Sequence, residues 1–261
     1  MFVTTTDGVE LWWEAEGVGP SVLLVPGRGD STDLFPHEFA DALAARGLSV
    51  LRWDPRDTGL SGPGGDTYTV ATLADDAVSV LDAAGVDAAH VVGVSMAGLV
   101  MAHLVSRHAE RVSSLTFVAA MSPDPEAGMG VDFFGAPDLD PADRVAALVR
   151  AMGDVTPDDR DWARATIDAA DVRATHRPDA VARHQEAAFR LDWPTPDSLR
   201  HVDVPTEVVH GRLDRVLPVA HAESIGALVP DASVTIVDGM GHIPRRDDWL
   251  RIAERVARSR S

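Results

Sequence analysis

A chain of 261 residues, 45% of them hydrophobic, is long enough for one substantial α/β domain with an insertion and short for two independent domains. Its 41 Asp and Glu face 23 basic residues, all of them arginine, for a formal net charge of -18; such a surface repels phosphate backbones and anionic lipid, so neither nucleic acid nor membrane is expected as a partner. The absence of cysteine removes disulfides and thiolate catalysis, and no charged-then-apolar leader or run of about 18 apolar residues occurs, so a cytoplasmic protein is expected.

Residues 3–6 and 9–14 read as two strands joined by Asp7-Gly8, a hairpin signal. The apolar run 21–26 reads as a strand buried on both faces. It enters Pro26-Gly27-Arg28-Gly29-Asp30, where glycine lets the backbone approach a ligand closely; of three roles open to the Arg28 side chain, a hydrogen bond to a ligand carbonyl, a pair with Asp30 or exposure to water, the last two are expected. A helix over 35–46 and a strand over 48–53 follow. Asp54-Pro55-Arg56-Asp57-Thr58-Gly59-Leu60-Ser61 is dense in turn formers and opposite charges, as expected of a hydrogen-bonded loop supporting the sheet edge. A helix over 69–84 is stopped by Gly85.

The next stretch, Ala89-His90-Val91-Val92-Gly93-Val94-Ser95-Met96-Ala97-Gly98-Leu99, reads as strand, sharp turn and helix centred on Ser95. A serine on such a turn is pushed into a strained conformation that lifts its hydroxyl clear of the sheet, and the Met96 N–H lies at the positive end of the following helix. Ser95 is therefore the candidate nucleophile and the Met96 amide a candidate oxyanion donor. Ala97 stands where the G-x-S-x-G pattern has its second glycine, with Gly98 just behind it.

A strand over 113–120 precedes a change of pattern. Residues 121–194 hold Gly, Pro and Asp and then helices expected over 142–152, 158–170 and 178–191, with no strand-like run, which reads as an inserted helical cap between core segments 1–120 and 195–261. Strands return over 206–210 and 233–237, separated by a helix over 219–228, and a last helix covers 247–257. Strands alternating with helices on both sides of an insertion indicate an α/β fold with a mostly parallel, doubly wound sheet.

A serine hydroxyl needs a base, and the base an orienting carboxylate. Asp214 lies just past one late strand and His242, in Gly239-Met240-Gly241-His242, just past the other, at the sheet edge where open α/β sheets bind ligands. Asp124 is the rival acid. The remaining histidines considered, His90, His103, His108, His201, His210 and His221, suit surface, capping or strand positions. No clustered His and carboxylate spacing suggests a metal, and no cofactor is called for.

Over essentially its whole length the chain resembles the α/β-hydrolase superfamily, and within it the aclacinomycin methylesterase branch. The resemblance rests on Gly8-Val9-Glu10-Leu11-Trp12, Arg56-Asp57-Thr58-Gly59, His90-Val91-Val92-Gly93-Val94-Ser95-Met96 and Gly239-Met240-Gly241-His242. It implies ester hydrolysis by Ser95, His242 and Asp214, in the chain order of that superfamily, with oxyanion donors on the Met96 amide and, by position, the Arg28 amide, Gly29 being the near alternative. The expected substrate is a small molecule carrying an apolar or polycyclic group, met by the aromatic residues Phe133, Phe134 and Trp193 at the cap hinges; Trp162 and Phe189 read as the cap's own core. The same residues would also serve thioester or carbon–carbon bond hydrolysis, perhydrolysis or ring closure, and a non-catalytic ligand-binding homologue is the reading from another class.

Overall fold

The computed structural model describes residues 1–65, 67–131, 141–174, 178–188 and 193–258. Among these, β1 (Phe2–Thr4), β2 (Glu10–Glu16), β3 (Ser21–Val25), β4 (Ser49–Trp53), β5 (Ala89–Val94), β6 (Val112–Val118), β7 (Thr206–Gly211) and β8 (Ser233–Val237) form one sheet in the order β1-β2-β4-β3-β5-β6-β7-β8. The first hairpin is antiparallel and β2 runs antiparallel to β4; from β4 to β8 all neighbours are parallel. The α/β fold with a mostly parallel sheet is thus as the alternation of patterns indicated.

Apolar residues alternate between the two faces of the central strands. Val22 and Leu24 of β3, Val50 of β4 and Val92 and Val94 of β5 pack with Phe35, Phe39 and Leu43 around α1 (His37–Ala44) and with Trp249 and Ile252 of α9 (Arg246–Arg258). Leu23 and Val25, Leu51 and Trp53, and Val91 face the other way, toward α2 (Val70–Ala83), α3 (Ala97–Arg107), the short α7 (Asp197–Arg200) and α8 (Ala220–Leu228). Every residue of β5 is buried, as the centre of a doubly covered sheet requires.

Between β6 and β7 in the chain lie α4 (Pro141–Ala151), α5 (Pro157–Arg173) and α6 (Pro178–Ala188). α5 starts where its sequence says it should: Pro157 occupies the first turn, and Thr156 and Asp159 form a reciprocal capping box. Val145, Val149, Met152 and Ala163 give α4 and α5 a small core of their own. The chain after α4 is sewn to the loop that follows β8: Gly241 N–H donates to Met152 O and Ile243 N–H to Ala151 O, both at 2.9 Å, and Asp154 N–H donates to Gly239 O at 2.9 Å. None of the helices among the described residues is long and apolar enough to cross a membrane.

The loop 54–61 is hydrogen-bonded throughout, as its turn chemistry implied. Asp54 accepts from the amides of Thr32 and Leu60, and the Ser61 hydroxyl donates to Asp54 O. Arg56, 1% exposed, makes a two-pronged ion pair with Asp76 on α2, both contacts at 2.7 Å, and reaches Asp7 in the first hairpin at 2.8 Å.

β3 sits between β4 and β5, so the helices that follow β3 and β5 leave on opposite faces, and a crevice opens at the carboxyl ends of these two strands. Ser95 ends β5 in that crevice, and the glycine-rich loop 26–30 ends β3 beside it. A methyl group added at Gly93 would meet Met101 Sδ at 2.3 Å and the Ala97 Cβ at 3.0 Å, so this position is tightly packed against the first turns of α3. The close-approach glycine of the turn is Gly98, where an added Cβ would meet Met121 O at 2.2 Å and Met121 N at 2.9 Å. Ala97→Gly is therefore expected to change unfolding free energy by about 1 kcal/mol or less, a helix-propensity effect. Gly98→Ala, which presses on the Met121 backbone in the chain just past β6, is expected to destabilise by about 1–3 kcal/mol or more; urea unfolding of the two variants checks the contrast.

Candidate active site

Three loops at the carboxyl edge of the sheet converge. Ser95 has φ 59, in the left-handed region, at the sharp turn where the buried β5 passes into α3. The turn is held by Ser95 N–H donating to Val118 O at 3.3 Å, and by Ser95 O accepting from Gly98 N–H at 3.0 Å and Met121 N–H at 2.8 Å. The Ser95 hydroxyl lies 3.0 Å from His242 Nε2, and His242 Nδ1 lies 2.8 Å from Asp214 Oδ2. A carboxylate can only accept, so Nδ1 carries the imidazole proton and Nε2 accepts from the serine. The other Asp214 oxygen accepts from Val216 N–H and Leu217 N–H, both at 2.8 Å, which fixes the carboxylate plane.

Asp214 is fully buried, which by itself would raise its carboxyl; the charge interaction with His242 and the hydrogen bond from His210 outweigh burial and hold it well below the usual carboxylate range. His210, which the sequence placed in or at the end of a strand, is a buried neighbour of Asp214: its Nε2 is 3.3 Å from Asp214 Oδ2 and donates to Leu217 O at 2.9 Å. The rival acid Asp124 is occupied elsewhere, accepting from Glu126 N–H at 3.0 Å and from the Ser224 hydroxyl at 3.1 Å.

The two expected amide donors fall on the two elements flanking Ser95: Met96 immediately precedes α3, at its positive end, and Arg28 lies on the loop after β3. The alternative, Gly29, is already engaged, because its N–H donates to His184 Nδ1 at 2.9 Å. Gly27 brings this loop against Ser95; an added Cβ there would lie 3.0 Å from Asp30 Oδ2 and 3.1 Å from the Ser95 Cβ. Asp30 therefore sits at the edge of the site. Burial pushes its carboxyl up to about 6, against the opposing charges of Arg28 and His242. The Arg28 guanidinium is pushed below the usual arginine range by burial, with the charge of Asp30 acting in the other direction, so this side chain lies in the half-buried wall of the site rather than facing open water.

A cleft of about 390 Å³ opens next to this centre, lined by Arg28, Asp30, Leu34, Leu148, Trp162 and Ile243 among others. Its lining includes Ile243, the residue after His242, and Arg28 and Asp30 from the loop beside Ser95, which places the cleft next to the serine and histidine without either lining it. Of the aromatic residues expected at the pocket, Phe133 and Phe134 lie outside the described residues. The Trp193 indole N–H donates to Pro123 O at 2.8 Å and its ring packs against the main core, away from the cleft lining. Trp162, read from the sequence as cap core, does pack in α5's core but also forms a wall of the cleft. Sequence reasoning does not mark His184 or Trp162, whose helical positions carry no signal for contacts made across so much chain, nor Asp30, whose loop position shows turn chemistry but not its place beside Ser95. Among the described residues no group of three or more His, Cys, Asp or Glu is arranged to hold a metal ion.

The chain was compared with known proteins. It is 29% identical over 256 residues to a non-heme haloperoxidase of Rhodococcus erythropolis, 92% of each chain being covered. It is 28% identical over 271 aligned residues to the rhodomycin D methylesterase DauP of Streptomyces sp. (strain C5), covering 91% of this chain and 90% of the other, in keeping with the branch its motifs resemble. Its fold matches that of the meta-cleavage product hydrolase CumD of Pseudomonas fluorescens IP01 with a TM-score of 0.82 at 19% identity, over 99% of this chain and 96% of that one. The sequence model for the alpha/beta hydrolase fold matches residues 20–244. With that match spanning most of the chain, and with the strand order just described, the protein belongs to the α/β-hydrolase fold family.

Proposed function

We propose that this protein is a serine hydrolase that cleaves a carboxylic ester of a small apolar or polycyclic molecule through an acyl-enzyme on Ser95. The observation that carries the reading is the continuous hydrogen-bonded line from the Ser95 hydroxyl through His242 to Asp214, at 3.0 and 2.8 Å, with the nucleophile at the head of α3.

In this reading Ser95 Oγ attacks the ester carbonyl carbon while its proton passes to His242 Nε2. The carbonyl oxygen becomes an oxyanion held by the Met96 and Arg28 amides, and Asp214 stabilises the imidazolium that forms. Collapse breaks the carbon–oxygen bond, and the departing alcohol takes the proton from His242. Water, activated by the same imidazole, then adds to the acyl carbon and frees Ser95. The depressed pKa of Asp214 keeps it anionic throughout, as an orienting group rather than a proton carrier. Ser95→Ala is expected to abolish turnover with the fold intact, and Asp214→Asn to lower kcat by about 10⁴, as in the analogous serine-protease substitution, by presenting the wrong imidazole tautomer. Steady-state kinetics with p-nitrophenyl esters, and labelling of Ser95 by a fluorophosphonate, test both; an unlabelled serine would favour a non-catalytic binding role.

The substrate side of the proposal rests on the cleft. Leu34, Leu148, Trp162, Ile167 and Ile243 give it apolar walls suited to an acyl or alkoxy group larger than acetate. Burying one aromatic ring against such a group is worth about 1.5–3 kcal/mol. Trp162→Ala is therefore expected to raise KM for bulky esters about tenfold or more while leaving acetate esters little changed, as measured across an acyl-length series. Nucleic acid and membrane remain poor partners on the charge argument. A second reading, perhydrolysis, is supported by the haloperoxidase relative: the same acyl-enzyme could pass its acyl group to hydrogen peroxide, which a bromination assay in acetate buffer would detect.

Asp30 sets a pH dependence of stability. Its carboxyl titrates near 6 in the folded protein and near the ordinary value of 3.8 when unfolded, so between these limits the folded state holds the extra proton. Stability contributed at this site is accordingly present at low pH and lost as pH rises through about 6. Asp30→Asn is expected to raise the melting temperature at pH 8, with the gain vanishing toward pH 4, as followed by thermal unfolding across that range.

A further inference from the structure

His184, on α6, is 0% exposed and lies far in sequence from the nucleophile, yet both its ring nitrogens are engaged by loops at the site. Nδ1 faces Gly29 N–H at 2.9 Å and Nε2 faces Arg56 O at 2.9 Å. An amide N–H cannot accept and a carbonyl cannot donate, so these partners determine the proton: Nδ1 bears the lone pair and Nε2 the hydrogen. Tyr68 packs edge-on against the ring at 5.9 Å between centroids and fixes its plane.

We propose that His184 is a positioning residue for the reaction, a neutral imidazole on α6 that accepts Gly29 N–H and so aims the adjacent Arg28 amide at the position of the oxyanion. The proposal rests on the serine-hydrolase reading. Three features support it. Gly29 has φ 72, a conformation open to glycine, so the loop's course depends on what holds it rather than on side-chain sterics. Asp30 N–H reaches back to Gly27 O only at 3.4 Å, a weak closure of the turn, beside which the 2.9 Å contact to His184 is the stronger hold on its middle. And the neighbouring residue anchors the same helix: Arg183 pairs with Asp57 at 2.7 Å, so α6 is clamped beside the loop it steadies.

The charged groups facing the ring are Asp57, Arg183 and Arg56, from its own helix and from the loop beneath it. Burial lowers the imidazole to about 4, against the hydrogen bond to Arg56 O and the charge of Asp57. Protonation would set one N–H against another at Gly29, and over the range in which a serine hydrolase works the ring stays an acceptor.

The test compares His184→Leu, which fills the space without an acceptor, with His184→Gln, whose amide carries both an acceptor and a donor. His184→Leu is expected to lower kcat for p-nitrophenyl acetate by about 10²-fold, the order of loss for a sub-ångström to 1 Å misplacement of a catalytic group, with KM nearly unchanged. Affinity for phenylboronic acid, which forms a tetrahedral adduct on the serine and so reports the oxyanion site, should fall in parallel, and His184→Gln should restore most of both. In the wild-type protein, side-chain ¹⁵N shifts should show His184 with bare Nδ1 and protonated Nε2 from pH 8 to pH 5, a measurement that holds even if His184→Leu does not fold. A δ-protonated or charged His184, equal losses in kcat and boronate affinity for Gln and Leu, or a Leu variant with wild-type kcat would overturn the proposal. Wild-type protein that forms no boronate adduct at all would instead count against Ser95 as nucleophile.

Discussion

A serine held at φ 59 is a strained residue, and conformations of that kind cost on the order of 1–3 kcal/mol each. The strain persists because everything around Ser95 is closed upon it. Its N–H is committed to β6, its carbonyl accepts from both Gly98 and Met121, and the residues on either side are buried to the limit. Gly93 against Ala97 and Gly98 against Met121 leave no space in which the turn could relax into an ordinary loop. The cost is met by the fully covered β5, whose six residues bury both faces of the sheet at its centre.

From this fixed point the other groups are placed by the topology of the sheet. β3 and β5 are parallel neighbours in register from Val22 opposite His90 to Val25 opposite Gly93, so the loop after β3 emerges beside Ser95. β7 and β8 run in the same sense on the far side of β6, which brings Asp214 and His242 to the same edge. The order in which the sheet is assembled therefore does the work of gathering residues separated by well over a hundred positions. The buried Arg56, paired with Asp76 and Asp7, ties the first hairpin, the loop 54–61 and α2 together beneath that edge, and removing one partner of such a pair would leave an uncompensated charge costing about 3–5 kcal/mol.

The parts of this arrangement that were legible in the sequence are those written in short windows. The strand-turn-helix around Ser95, the loops carrying Asp214 and His242 and the hydrogen-bonded turn 54–61 each declare themselves within about ten residues, through periodicity and turn chemistry. The sheet followed because its strands are apolar runs bounded by such turns. What escaped was set by contacts between distant segments. His184 looks like one more helical polar residue until α6 is laid over Gly29 and Arg56. Trp162 satisfies the helix periodicity of α5 whether or not it also faces a cleft. Trp193, taken for a hinge aromatic, is drawn to the core by the Pro123 carbonyl its indole can reach. The four residues of α7 are too few to show a period at all.

The backbone pairing between residues 151–154 and 239–243 bears on how such a protein could diverge. The segment after α4 shares hydrogen bonds with the loop that carries His242, and an added Cβ at Gly241 would strike Ala151 O at 2.2 Å. α5 is bound to the core as well, through Arg173 to Asp33 at 2.8 Å and to Asp54. The helices between β6 and β7 are thus not an interchangeable module: a graft of foreign helices chosen for a new substrate would bring its own backbone to the histidine loop. Diversification is channelled instead into point changes on the inner faces of α4 and α5, where Leu148, Trp162 and Ile167 can vary without disturbing the seam.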